Sequence, residues 1–198
     1  MLDTKARKFI QPALSGVAKL LIKMKVSANH ITLLALFVGL LPAGIIAFNL
    51  SPIAAVIVLW ISGFFDALDG TIARITKTSS PLGTIMDIVF DRVVEISLIL
   101  VLAVKHPQYM YLFVLLACSI ILSMTVFLTV AAASEKTGEK SFYYQAGLVE
   151  RSEAFIMFSL MILLPQFIYI TCLLFAVMIT FTFLQRFLEA VKCFNTEN

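Results

Sequence analysis

The chain has 198 residues, of which 61% are hydrophobic and only 14% charged, with a formal net charge of +3 and a mean hydropathy of +1.00. That balance excludes an ordinary soluble domain, in which about a quarter of the residues are charged. It reads as an integral membrane protein with no nucleic-acid partner, and its long apolar stretches fit helices rather than the short alternating strands of a β-barrel.

In chain order, residues 1–25 carry Lys5, Arg7, Lys8, Lys19, Lys23 and Lys25, while Ile10, Ala13, Leu14, Val17, Leu20, Leu21 and Met24 recur at helical spacing. This pattern predicts an N-terminal interfacial amphipathic helix with Pro12 in its first turn. A merely solvated basic tail is the bland alternative. Six transmembrane helices are expected to follow at 31–48, 53–75, 82–104, 109–133, 147–164 and 167–187, each near the ~20 residues a bilayer core requires. The first apolar run is long enough to span and lacks a small-residue cleavage site, so no cleavable signal sequence is expected.

Six spans would place the N-terminus, the 75–81 and 134–146 loops and the C-terminal tail on one side, with nearly all the Lys and Arg. By the positive-inside rule both termini are cytoplasmic, as in a prokaryotic plasma membrane. The connections are too short to separate domains, so residues 1–198 are expected to form one domain, an interfacial helix (1–25) and a bundle (31–187). Cys118, Cys172 and Cys193 have neither metal nor redox spacing and read as packing residues. Met157, Phe158 and Met161 read as lipid-facing or packing residues, and Tyr143, Tyr144 and Trp60 as interface anchors, although Trp60 lies mid-span, where it could pack inside the bundle. His30, at a span entrance, reads as a satisfied interfacial residue.

Against this apolar background, residues 62–95 hold four aspartates, Asp66, Asp69, Asp87 and Asp91. At about 100° per residue, Asp66, Asp69, Gly70 and Ala73 share one helical arc, and Gly83, Asp87 and Asp91 share another. A charge at the bilayer centre costs roughly 2.5–3.5 kcal/mol on insertion scales, so four carboxylates need partners. An oxygen-only set of converging carboxylates suits a hard divalent cation such as magnesium or calcium, not zinc. Gly70, Ala73 and Gly83 would let the second and third spans approach closely enough to share ions. Ser79 or Ser80 is a plausible N-cap for the third span, with Pro81 in its first helical position. The same aspartates could instead form the ion path of a cation transporter, although such a path needs neither the Gly-x2-Ala-Arg spacing nor a common depth.

Written out, the stretch is Asp66-x2-Asp69-Gly70-x2-Ala73-Arg74-x8-Gly83-x3-Asp87-x3-Asp91. It resembles the signature of the CDP-alcohol phosphotransferase family, with all fixed positions present. The resemblance implies two Mg2+ or Mn2+ ions held by Asp66, Asp69, Asp87 and Asp91, with Asp91 also the general base. It implies that Gly70, Arg74 and Ser80 meet a CDP-linked donor. Asn29 and Thr32 stand in register with the family's Pro-Asn-x-x-Thr element, although Ala28 replaces its proline. The implied reaction moves a phosphatidyl group from CDP-diacylglycerol to the hydroxyl of a small polar alcohol, releasing CMP, in a homodimer. A CDP-aminoalcohol donor with a diacylglycerol acceptor ranks second, because the short chain resembles the prokaryotic type more. Arg92, Lys136, Lys140 and Arg151 could meet an anionic acceptor, such as glycerol 3-phosphate or inositol phosphate, or could simply obey the positive-inside rule.

Overall fold

The computed structural model describes residues 2–136 and 147–195, with side chains for 11–133 and 147–194. Among these residues every regular element is helical: α1 (Leu2–Lys23), α2 (Ala28–Ala47), α3 (Pro52–Thr76), α4 (Pro81–Lys105), α5 (Met110–Lys136), α6 (Arg151–Leu163) and α7 (Ile168–Asn195). Short 3₁₀ turns at Pro107–Tyr109 and Pro165–Phe167 precede α5 and α7. The chain divides into two compact units, Thr4–Pro107 and Gln108–Asn198 with Met1–Asp3.

In the first unit the helix boundaries follow from local chemistry. Serines 27, 51 and 80 cap α2, α3 and α4, each accepting a hydrogen bond from the backbone N–H three residues on. Pro52 and Pro81 then occupy the first helical positions, where a missing N–H costs nothing. At the other ends Lys25, Asn49 and Lys77 adopt left-handed φ values of 60°, 55° and 54°. Each lets the next residue bond back five positions: Val26 N to Leu21 O, Leu50 N to Ile45 O and Thr78 N to Ala73 O. These are Schellman-type closures made without glycine.

Pro12 lies inside α1 rather than in its first turn, because the helix already begins at Leu2. The lost backbone bond is offset by packing: Leu14 and Ala18 are buried with Ile31, Leu68 and Ile72, flanked by Leu21, Ile22 and Phe65. Val17, Leu20 and Met24 of α1 remain exposed. α2 is the hub of the unit, packing against both α3 and α4. Gly39 leaves room for side chains of both neighbours, since a Cβ there would stand 2.6 Å from Val94 Cγ2 and 2.7 Å from Ser62 Oγ. Ser62 in turn donates to Ala35 O at 3.0 Å. At the opposite end from the serine caps of α2 and α4, Lys105 Nζ donates to Ala47 O (3.0 Å) and Asn49 Oδ1 (2.6 Å), setting a cation on the C-terminus of α2. Burial holds the neighbouring His106 below its ordinary pKa, so the ring is neutral at pH 7.

In the second unit α5 and α7 pack along their lengths and α6 packs on α7. Phe158 meets Phe175 edge to face at 5.3 Å, and Met157, Phe158 and Met161 are core residues. Cys172 is buried between helices, whereas Cys118 and Cys193 are exposed and fill no core.

Four helical segments are long and apolar enough to cross a membrane: Ala28–Ala47, Pro52–Thr76, Pro107–Ala133 and Pro165–Phe194. The other two expected spans do not meet that measure, for different reasons. α4 has 25 residues but carries Asp87, Asp91, Arg92, Glu95 and Lys105. α6 has 13 residues and measures about 20 Å at 1.5 Å per residue. It starts at Arg151, not 147, because Glu150 and Glu153 form a capping box there.

Candidate active site

The site grows out of the first unit, where α3 ends and α2 and α4 begin. On α3, Asp66 and Asp69 lie one turn apart, and Asp87 of α4 joins them: one ligand atom from each lies within 4.8 Å of the others. Asp69 is buried at 6% exposure, and its Oδ2 has no hydrogen-bond partner. A buried, unpartnered carboxylate oxygen beside two further carboxylates is unfavourable unless a cation completes it. The all-oxygen donor set fits a hard divalent ion, so the residues present suit the metal that the sequence implies. Asp91, one turn beyond Asp87 on α4, is half-buried and stands outside this closest group.

Around the carboxylates the other sequence-selected residues gather. Thr32, buried in the first turns of α2, is within hydrogen-bonding reach of Asp69, with Ala28 O, 3.1 Å from its hydroxyl, as the alternative acceptor of its one proton. Arg74 lies back over Gly70, where a Cβ would meet its Nη1 at 3.4 Å, and its Nη2 donates to Thr71 Oγ1 at 3.1 Å. Gly70 is thus a bed for an arginine one turn on. Ser80 Oγ accepts from Gly83 N at 3.1 Å, and a Cβ on Gly83 would stand 3.3 Å from Ser80 Oγ and 3.6 Å from Asn29 Oδ1. Asn29, Ser80 and Gly83 therefore share one corner, at the positive ends of α2 and α4, a setting suited to phosphate. The glycines do not bring α3 and α4 together as expected; they make room for Arg74, Ser80 and Asn29, while Gly39 makes room for Val94 and Ser62. His30 is satisfied at the α2 cap by Ser27 Oγ, 3.0 Å from its Nδ1. Trp60 is exposed, not packed inside.

The basic residues have different fates. Arg92 pairs with Glu95 across one turn of α4. Arg151 opens α6 with its guanidinium 5.8 Å from the Phe155 ring centroid. Lys140, Tyr143 and Tyr144 lie outside the described residues, as does the side chain of Lys136. Two charged residues escaped the sequence reading. Glu95 is buried at 8% exposure, and its four-residue step from Asp91 could have marked it. Arg186, on α7, sits 5.2 Å from the Phe127 ring and donates to Ser123 Oγ at 3.4 Å. It also lies against buried Gly147, whose segment is stapled to α7 by Val149 N donating to Thr182 Oγ1 at 3.1 Å. A lone arginine late in an apolar run was the available signal.

Comparison with known proteins follows the same lines. The sequence profile of the family described as CDP-alcohol phosphatidyltransferase matches residues 25–186. Phosphatidylinositol phosphate synthase of Corynebacterium glutamicum is 33% identical, over 79% of this chain and 72% of that protein. Archaetidylinositol phosphate synthase of Pyrococcus horikoshii is 27% identical over 96% of each. Two crystal structures of Mycobacterium tuberculosis phosphatidylinositol phosphate synthase share the fold. The one with CDP-DAG bound has a TM-score of 0.70 at 20% identity, covering 90% of this chain and 93% of that one. The other, in complex with manganese and citrate, has a TM-score of 0.69 at 22% identity, covering 90% and 88%.

Proposed function

The chain belongs to the CDP-alcohol phosphatidyltransferase family, and we propose that it moves the phosphatidyl group of CDP-diacylglycerol to a hydroxyl of inositol phosphate, releasing CMP. The observation that carries this reading is the carboxylate group of Asp66, Asp69 and Asp87, with its buried, unpartnered Asp69 oxygen. The acceptor follows from the relatives, which are named as inositol phosphate-lipid synthases.

Asp66, Asp69 and Asp87, with Asp91 for the second ion, would hold two Mg2+ or Mn2+ ions. When bound, such ions would neutralise charge on the donor's pyrophosphate and stabilise both the acceptor oxygen that enters and the CMP oxygen that leaves. Asn29, Thr32, Ser80 and Gly70 border the donor's nucleotide, and Arg74 meets its phosphates. Asp91, next to the group but outside its closest part, takes the acceptor's hydroxyl proton as the new oxygen–phosphorus bond forms. The bond from that phosphorus to CMP breaks, and CMP departs with the electron pair. Arg92, in the same unit as the aspartates, is the cation assigned to the acceptor's phosphate.

The protein works in a prokaryotic plasma membrane as a six-span homodimer, with site and termini cytoplasmic. Support for α4 as a span comes from its outer face, where Val89, Val93, Ile96, Leu100 and Val104 are exposed, while Asp91 and Glu95 lie on another. α1 lies on the membrane surface through Val17, Leu20 and Met24, with Lys19, Lys23 and Lys25 exposed beside them. Residues 1–198 act as one domain, a reading supported by a family match that runs through both compact units.

The test is to incubate purified protein with CDP-diacylglycerol, Mn2+ and separate acceptors (inositol phosphate, inositol, glycerol 3-phosphate, serine, diacylglycerol with CDP-choline) and identify products by mass spectrometry. Phosphatidylinositol phosphate formed from inositol phosphate is the expected product. A product from another acceptor alone would replace the proposed one.

A further inference from the structure

The reaction above makes no use of the outer surface of α1. At about 100° per residue this helix shows three separate faces. Leu14, Ala18 and Ile22 lie on the first, packed against Ile31, Leu68 and Ile72. Val17, Leu20 and Met24 lie on the second and are exposed. Lys19 and Lys23 lie on the third, also exposed, and exposed Lys25 follows just past the helix end.

Because the apolar stripe and the packed face do not overlap, the helix can lie on a bilayer and keep its contacts with α2 and α3. The lysines border the stripe on the side away from the protein. No acidic residue occurs between Asp3 and Asp66, so neither the rest of α1 nor α2 supplies them with a counter-ion. Long lysine side chains at the edge of an apolar stripe reach into the headgroup layer, where a negatively charged lipid supplies the missing charge.

From these faces we propose that Lys19, Lys23 and Lys25 form a binding edge for the headgroups of anionic phospholipids, which hold α1 on a negatively charged leaflet. The inference rests on the reading of α1 as a membrane-surface helix and names the lipid that this helix meets. The helix so held backs the wall of the site, since Ile31 and Leu68, on which it packs, precede Thr32 and Asp69 in the chain.

Gly16 offers a place for a reporter, because it lies between Lys23 and Leu20 around the helix and a Cβ there would meet nothing within 4 Å. The full chain carrying Gly16→Trp and Trp60→Phe has a single tryptophan. It is reconstituted in phosphatidylcholine vesicles that contain equal fractions of either brominated phosphatidylglycerol or brominated phosphatidylcholine, each of which quenches a tryptophan it touches. Brominated phosphatidylglycerol should quench with a relative binding constant about fivefold higher, the preference that one lysine near a headgroup gives. The ratio should fall to unity in Lys19→Gln/Lys23→Gln/Lys25→Gln and persist in Lys19→Arg/Lys23→Arg/Lys25→Arg. It should also shrink in about 1 M salt, where the screening length is about 3 Å. A preference that survives the three Gln changes, or that is lost in the three Arg changes, would overturn the proposal. Quenching by both lipids without preference overturns the inference alone, whereas quenching by neither removes the membrane-surface reading of α1 and the inference together.

Discussion

Asp69 concentrates the chemistry of the site in one side chain, because one of its oxygens is buried with no protein partner while Asp66 and Asp87 crowd the same few ångströms. Asp69→Asn should therefore weaken Mn2+ binding beyond the about 10–100-fold that losing a hydrogen-bonding neighbour of a ligand causes. Asp91→Asn should act differently. Losing a general base costs about 10²–10⁴-fold in turnover, so this variant should still bind CDP-diacylglycerol, by equilibrium binding, while CMP release collapses. Near-wild-type release would remove Asp91 from the base role. These aspartates were legible in the sequence because steps of three and four encode a shared helical face. Glu95 and Arg186 were not singled out, since what distinguishes them is a partner: a guanidinium one turn away for Glu95, and Ser123 and Phe127 on another helix for Arg186.

At the scale of elements, α2 sets the distances that the carboxylates need, although it carries none of them. Gly39→Ala would drive a methyl group into Val94 and Ser62, a strain of about 1–3 kcal/mol for overpacking. The expected result is a lower midpoint of thermal unfolding and weaker Mn2+ binding, both relieved by adding Val94→Ala; no recovery in the double variant would contradict this packing account. Sequence periodicity found the helices and the Ser80–Pro81 start of α4, because caps are local. It misassigned the close approach to Gly70 and Gly83, because which glycine meets another helix depends on contacts far apart in the chain. The start of α6 was missed by four residues for a local reason, the capping box of Glu150 and Glu153.

For the molecule as a whole, the proposed topology puts the 77–80 turn on the cytoplasmic side and Asn49 on the other. In a variant with Cys118, Cys172 and Cys193 replaced, a cysteine at Thr78 should react with an impermeant maleimide only in inside-out vesicles, and one at Asn49 only in right-side-out vesicles. Labelling of both from one side would break the six-span layout, and labelling of each from the opposite side to that expected would invert it. Hydropathy made the membrane class legible from composition alone, yet α4 fails a simple span measure because the charges of the site lie on it. The central claim is that the three clustered aspartates hold the metal on which phosphatidyl transfer depends. The direct measurement is CMP release from CDP-diacylglycerol and inositol phosphate as Mn2+ is titrated, in the wild type and in Asp66→Ala and Asp87→Ala. Release should need Mn2+, vanish with EDTA, and require far higher Mn2+ in both variants; release that persists in EDTA, or an unshifted titration in both variants, would contradict it.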